Sequence, residues 1–192
     1  MIKVIVFLLA AEGTDVFRAT GDSAAQAARE AFAGVAGYIQ TRPIDTQPGD
    51  VPPPYSGVAE LWFTRADDAW RAMADAEALR PLLGDGVSVA AVVVGLERTV
   101  MRVPEHKHGS GIKGVYPFNR KPDMSVDDFQ AYWWHNHGPI AARTEHALAY
   151  YQCHPLPDAS ATVQSAFDGV TEIHWPNATD ALAALSSRQM AE

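Results

Sequence analysis

Cysteine is almost absent: Cys153 is the one thiol in 192 residues. No disulfide can form within the chain, and a reducing compartment is expected. A lone thiol of this kind behaves as a small apolar side chain. Positive charge is also scarce, with 15 Lys and Arg against 23 Asp and Glu and a net charge of −8. That speaks against nucleic acid as a partner, which calls for a basic face, and no basic run suggests a membrane surface. No apolar stretch approaches the ~20 residues of a membrane-spanning helix. The opening MIKVIVFLLAAEG is short and β-branched, a buried first strand rather than a secretory leader. Also missing are a glycine-rich phosphate loop and a GxSxG elbow, which argues against nucleotide use and serine hydrolysis. The pair His135 and His137 is two residues apart, so on a helix the rings point to different faces, and no carboxylate stands at ligand spacing. No metal and no cofactor is expected. These absences describe a cytoplasmic protein with neither nucleic-acid nor membrane partners.

What is present is an alternation of strands and helices. Ile2 to Leu9 reads as a strand. A helix follows from Asp22 or Ser23 to about Val35, with Ser23 as N-cap and Gly37 as stop, and an earlier turn at Thr14–Ala19 is allowed. Tyr38–Thr41 and Val58–Phe63 are strands separated by a loop rich in proline and glycine. Asp67–Leu79 is a helix with Ala69, Trp70, Met73 and Ala76 on one face. Val87–Gly95, nearly all apolar, reads as a strand buried on both sides. This β-α-β-β-α-β order is ferredoxin-like.

Residues 102–111 form a linker whose His106 and His108 are expected to be solvated. The order then restarts with a strand at Ile112–Phe118, a helix opened by Ser125, strands at Tyr150–His154 and Gly169–Trp175, and a helix at Asp180–Gln189. Tyr38-Ile39-Gln40, Gly57-Val58-x-Glu60 and Asp68-Ala69 recur as Tyr150-Tyr151-Gln152, Gly169-Val170-x-Glu172 and Asp180-Ala181, each 112 residues on. The sequence therefore predicts an α+β chain of two ferredoxin-like repeats, residues 1–101 and 112–192, packed sheet to sheet within one chain as a dimeric α/β barrel. The second repeat lacks a counterpart of Val87–Gly95, leaving an edge that a second copy could cover as a homodimer.

Chemistry-bearing residues concentrate in the second half. At one hundred degrees per residue, Phe129, Tyr132, Trp133, Asn136 and Ile140 share a helix face, with His137 at its margin. His135 and His146 fall outside as solvated residues, and Trp134 leans outward. Strand alternation puts Tyr150, Gln152 and His154 on one face and Tyr151 and Cys153 on the other. Glu172 and His174 share a face of the next strand, and Tyr116 offers a phenol from the first. An imidazole among aromatics can act as acid or base near neutral pH, and an apolar body with a few polar groups is the usual makeup of a small-molecule pocket. The competing reading is a buried histidine satisfied by a carbonyl.

The segments Phe118-Asn119-Arg120-Lys121-Pro122-Asp123-Met124-Ser125, Phe129-x-x-Tyr132-Trp133, His137-Gly138-Pro139-Ile140-Ala141 and Tyr150-x-Gln152-x-His154 closely resemble an EthD-type domain. The resemblance covers the second half. In the first half the RKPxMS turn and the HGP element are missing, and Arg42 stands where His154 would. It implies the dimeric α/β-barrel superfamily, whose relatives include cofactor-free decarboxylases or dehydratases of aromatic polyketide pathways, polyketide cyclases, lactone isomerases and haem-degrading oxygenases. It further implies a pocket between helices and sheet worked by histidine and tyrosine.

The expectation is a cofactor-independent lyase or isomerase for a small, aromatic or polyketide-like carbonyl compound. His137 would transfer the proton and His154 or Tyr116 would polarise the oxygen. Asn136 and Gln152 would orient the substrate, Phe129 and Trp133 would line the wall, and Tyr132, Tyr150, Glu172 and His174 would complete the pocket. A non-catalytic carrier for a neighbouring oxygenase and a haem-binding oxygenase are the alternatives. The degenerate first half predicts one working pocket per chain.

Overall fold

The computed structural model describes residues 1–44, 52–74, 76–105, 111–157 and 165–186. His106, His108 and the end of the expected closing helix lie outside them. The chain divides into two compact units, the first mainly Met1–Gln47 and Pro52–Leu96, the second mainly Glu97–His154 and Phe167–Glu192.

In the first unit, β1 (Ile2–Leu9), α1 (Gly21–Ala31), β2 (Val35–Thr41), β3 (Gly57–Phe63), α2 (Ala66–Met73) and β4 (Ser88–Arg102) follow in order. The strands are arranged β2-β3-β1-β4, the ferredoxin-like order. Val4, Val6 and Leu8 of β1 and Ala59, Leu61 and Phe63 of β3 pack one sheet face against Ala28, Ala69 and Met73 of the helices and Phe32 just past the end of α1. The opposite face buries an ion pair, with Lys3 Nζ 2.7 Å from Glu60 Oε1. Thr41 Oγ1 donates to the other carboxylate oxygen at 3.2 Å, and the ammonium lies 4.4 Å from the Trp62 ring centre. Buried charges persist only with such partners.

Local expectations differ from this structure in a few places, each for a physical reason. Ser23 does not cap α1; it donates to Thr20 O at 2.7 Å from inside the helix, and the helix starts at Gly21. It ends at Ala31, because Gly34 takes φ 80° and turns the chain into β2 earlier than expected. The Thr14–Ala19 stretch is no helix; Phe17 bridges to Leu83. The second helix breaks after Met73 and resumes as a 3₁₀ turn at Ala76–Leu79. Only the middle of β4, Val93 to Gly95, is buried. The strand also runs on to Arg102, past the end of the apolar run.

In the second unit, β5 (Ile112–Phe118), α3 (Val126–Tyr132), a π-helical turn (Trp133–His137), α4 (Gly138–Ala141), β6 (Ala149–Pro155), β7 (Gly169–Trp175) and α5 (Ala178–Leu185) follow. The strand order is β4-β6-β7-β5, so the end of β4 flanks β6. Among the described residues β5 has a neighbour on its β7 side only. Antiparallel register sets Tyr116 opposite Thr171 on the β5 side of β7, and Tyr150 opposite Ile173 and Gln152 opposite Thr171 on the β6 side. Tyr150, Ile173 and Trp175 face Ala141, Ala181 and Ala184 in this unit's core. None of the described helices is long and apolar enough to cross a membrane.

Candidate functional site

The site begins with the loop leading into α3. Arg120 donates from its backbone N–H to Asp168 Oδ2 at 3.0 Å and from Nε to Met124 O at 2.8 Å. Its Nη1 also pairs with Asp168 Oδ1. Asp168 N donates back to Asn119 Oδ1 at 3.2 Å. This clamp ties the turn before α3 to the start of β7. Ser125 then caps α3, its Oγ accepting from Asp128 N at 3.1 Å, which contributes about 1 kcal/mol.

From that anchor α3 runs into the π-helical turn, in which Gly138 N–H donates to Trp133 O. An i→i+5 turn is wider than an α-turn and is frequent at functional sites. It changes which residues share a face. Phe129 and Trp133 are buried as expected, but Tyr132 is 54% and Ile140 43% exposed, and Asn136 is exposed too. The inward placement of Asn136 and Ile140 is thus corrected: the widened turn advances fewer degrees per residue and rotates them off the face. Tyr132 precedes that turn and sits on the solvent flank of the buried pair.

The buried wall is aromatic. Phe129 and Trp133 stack with ring centres 5.7 Å apart, Phe118 meets Trp133 edge-on at 4.9 Å, and Trp133 stacks on His154 at 4.4 Å. Offset stacks and edge contacts of this kind are favourable beyond the area they bury. The wall can press this close to β7 because Gly169 has no side chain: a Cβ there would lie 2.8 Å from Trp133. Trp134 is half-buried rather than free, under the Arg98 guanidinium, 5.0 Å from its ring centre.

Two polar groups hang on this wall. In one, His137 Nε2 is 3.3 Å from Tyr150 Oη, and Tyr150 Oη is 3.4 Å from Thr171 Oγ1. His137 is exposed on one side, while burial of the other holds its pKa below the usual imidazole value, so it is neutral at pH 7. Tyr116 folds back over Gly114, where any Cβ would overlap its ring. Its phenol is pushed up to about 12, first by burial and then by the neighbouring Tyr150. It keeps its proton at every physiological pH and can donate it to a hydrogen bond.

In the other group, Gln152 Nε2 donates to Trp133 O at 3.1 Å, and His154 Nε2 lies 2.9 Å from Gln152 Oε1. Gln152 is fully buried with both ends of its amide engaged, so the expected substrate-orienting contact is corrected: no part of it faces a pocket. His154 is 2% exposed, and burial, with Arg98 second, lowers its pKa to about 4. Its Nδ1 is buried with no hydrogen-bond partner among the described residues.

Glu172 and His174 do not join these groups. They alternate with Thr171 and Ile173 along β7 and therefore lie on the other sheet face. There Glu172 is 3.5 Å from Lys113, and His174 meets Tyr151 edge-on at 5.6 Å. His135 is exposed and His146 sits at φ 58° in a turn. Among the described residues no group of three His, Cys, Asp or Glu could hold a metal ion. His154 is enclosed by Trp133 and Trp134, and His137 turns Nε2 to Tyr150. Sequence reasoning missed Thr171, Arg98 and Asp168. Register opposite Gln152 would have flagged the first.

Residues 121–192 match the EthD domain family. No curated protein matches the chain. Among solved structures, an anthrone oxidase-like protein is 13% identical with a TM-score of 0.51, covering 100% of this chain and 80% of its own. A mutant chlorite dismutase from Candidatus Nitrospira defluvii is 10% identical, also at 0.51, covering 100% and 82%. At such identities the likeness is one of fold alone. The second unit is the EthD-like part of the chain.

Proposed function

We propose that the second unit is a cofactor-independent lyase or isomerase for a small aromatic or polyketide-like carbonyl compound. The observation that carries this reading is a neutral imidazole, His137, held by Tyr150 beside the proton-retaining phenol of Tyr116. His137 removes a proton from the carbon next to the carbonyl, and the electron pair moves onto the carbonyl oxygen. Tyr116 donates a hydrogen bond to that oxygen where charge develops. The imidazolium then returns the proton at another carbon in an isomerisation, or to a departing hydroxyl in a dehydration. Phe129 and Trp133 back the site as its apolar wall. The two units are read as repeats of which only the second works.

Solvent exchange tests this without knowledge of the physiological substrate. Wild-type protein in D2O should exchange the α-hydrogens of an aryl methyl ketone faster than buffer. His137→Ala should lose at least about 10²-fold of that rate. Unchanged exchange in His137→Ala contradicts the assignment. A carrier protein would bind the ketone and exchange nothing.

A further inference from the structure

We infer that Gln152 is a positioning residue: it fixes His154 as the Nε2–H tautomer, whose remaining nitrogen, Nδ1, can only accept, and pins the π-helical turn that carries His137 to Tyr150. Trp133 O is a carbonyl and can only accept hydrogen bonds. Gln152 must therefore turn its amide nitrogen to it, at 3.1 Å, which directs the amide oxygen to His154 Nε2 at 2.9 Å. An amide oxygen only accepts, so Nε2 carries the hydrogen. A neutral imidazole has one N–H, and Nδ1 is then a bare lone pair, buried and unpartnered among the described residues.

Two consequences follow for the site. His154 has no hydrogen to offer a substrate carbonyl, so the polarising role falls to Tyr116. The same amide adds a second donor to the carbonyl that Gly138 N–H already bonds across the π-helical turn, locking β6 to the widened turn. Within the first unit Gln40 makes the corresponding contact, donating to Ala19 O at 2.9 Å, but holds no imidazole. The link from this geometry to turnover rests on the function proposed above; the tautomer does not.

The test is long-range ¹H–¹⁵N spectroscopy of the full chain with labelled histidine at pH 7. Wild-type His154 should show a protonated Nε2 and a bare Nδ1 in a single form. Gln152→Leu should give a mixture of both tautomers and shift the His137 ring signals. Gln152→Glu, which keeps the acceptor, should retain the Nε2–H form. A wild-type Nδ1–H tautomer overturns the inference, as does Gln152→Leu with an unaltered His154 spectrum or Gln152→Glu with the mixture. Loss of the proposed activity reading, by undiminished exchange in His137→Ala, would leave these spectra as predicted.

Discussion

The two units set the same strand residues to different uses. Tyr38 and Gln40 in β2 stand opposite Leu61 and Ala59 of β3, as Tyr150 and Gln152 in β6 stand opposite Ile173 and Thr171 of β7. In the first unit the Tyr38 hydroxyl is 3.2 Å from the Gln40 amide. Arg42 lies over Phe17 at 4.8 Å and reaches Asp15 at 3.4 Å. Those polar groups satisfy one another with no imidazole among them. In the second unit Thr171 replaces Ala59 and His154 replaces Arg42. Tyr150 is drawn to His137, and His154 Nδ1 has no hydrogen-bond partner among the described residues. The same strand frame thus carries a set of polar groups without an imidazole in one unit and an imidazole-bearing set in the other.

The largest effect expected from breaking this contrast is at the aromatic wall. Trp133→Ala and Phe17→Ala each empty a buried site and should each cost about 3–5 kcal/mol in urea unfolding. Only the first should disturb the His154 ring signals; equal disturbance by both would erase the distinction.

Acid should separate the units next. His154 has a folded pKa of about 4 against an unfolded value near 6.5. Between those pH values the unfolded chain binds more protons. The stability His154 allows at neutral pH is lost as pH falls from about 6.5 to about 4, by about 3 kcal/mol. The corresponding first-unit position holds Arg42 rather than an imidazole. His154→Gln should flatten that part of the pH–stability curve, and a curve that keeps its slope would contradict the assignment.

Thr171→Ala gives the second unit the residue the first has. Removing one partner of the Tyr150 hydroxyl should cost about 1 kcal/mol, measured by thermal unfolding, and should change the His137 titration midpoint. An unmoved midpoint would separate Thr171 from the pair. Smallest of all is Tyr132→Ala: at 54% exposure it should stay within about 0.5 kcal/mol of wild type, and a larger loss would mean that the side chain is covered.

Much of this frame is legible from strand alternation, which orders Tyr150, Gln152 and His154 on one face and Tyr151 and Cys153 on the other. Helix periodicity serves less well here. The π-helical turn adds a residue to one turn, a change that no spacing rule anticipates, and so Asn136 and Ile140 rotate to solvent. The role of Gln152 is hidden for another reason: a buried amide and a substrate-facing one have the same sequence, and only the distances to Trp133 O and His154 tell them apart. Glu172 and His174 alternate correctly along β7, but the face they share is not the one His137 approaches.

The proposed function puts the working site in the second unit and not in the first. Titrating the ¹⁵N-labelled chain with 2′-hydroxyacetophenone, an aryl ketone, tests it most directly. Saturable shifts are expected at one site per chain, centred on His137, Tyr150 and Tyr116, and lost in His137→Ala. Shifts centred on Tyr38 and Gln40, or in both units equally, would contradict it.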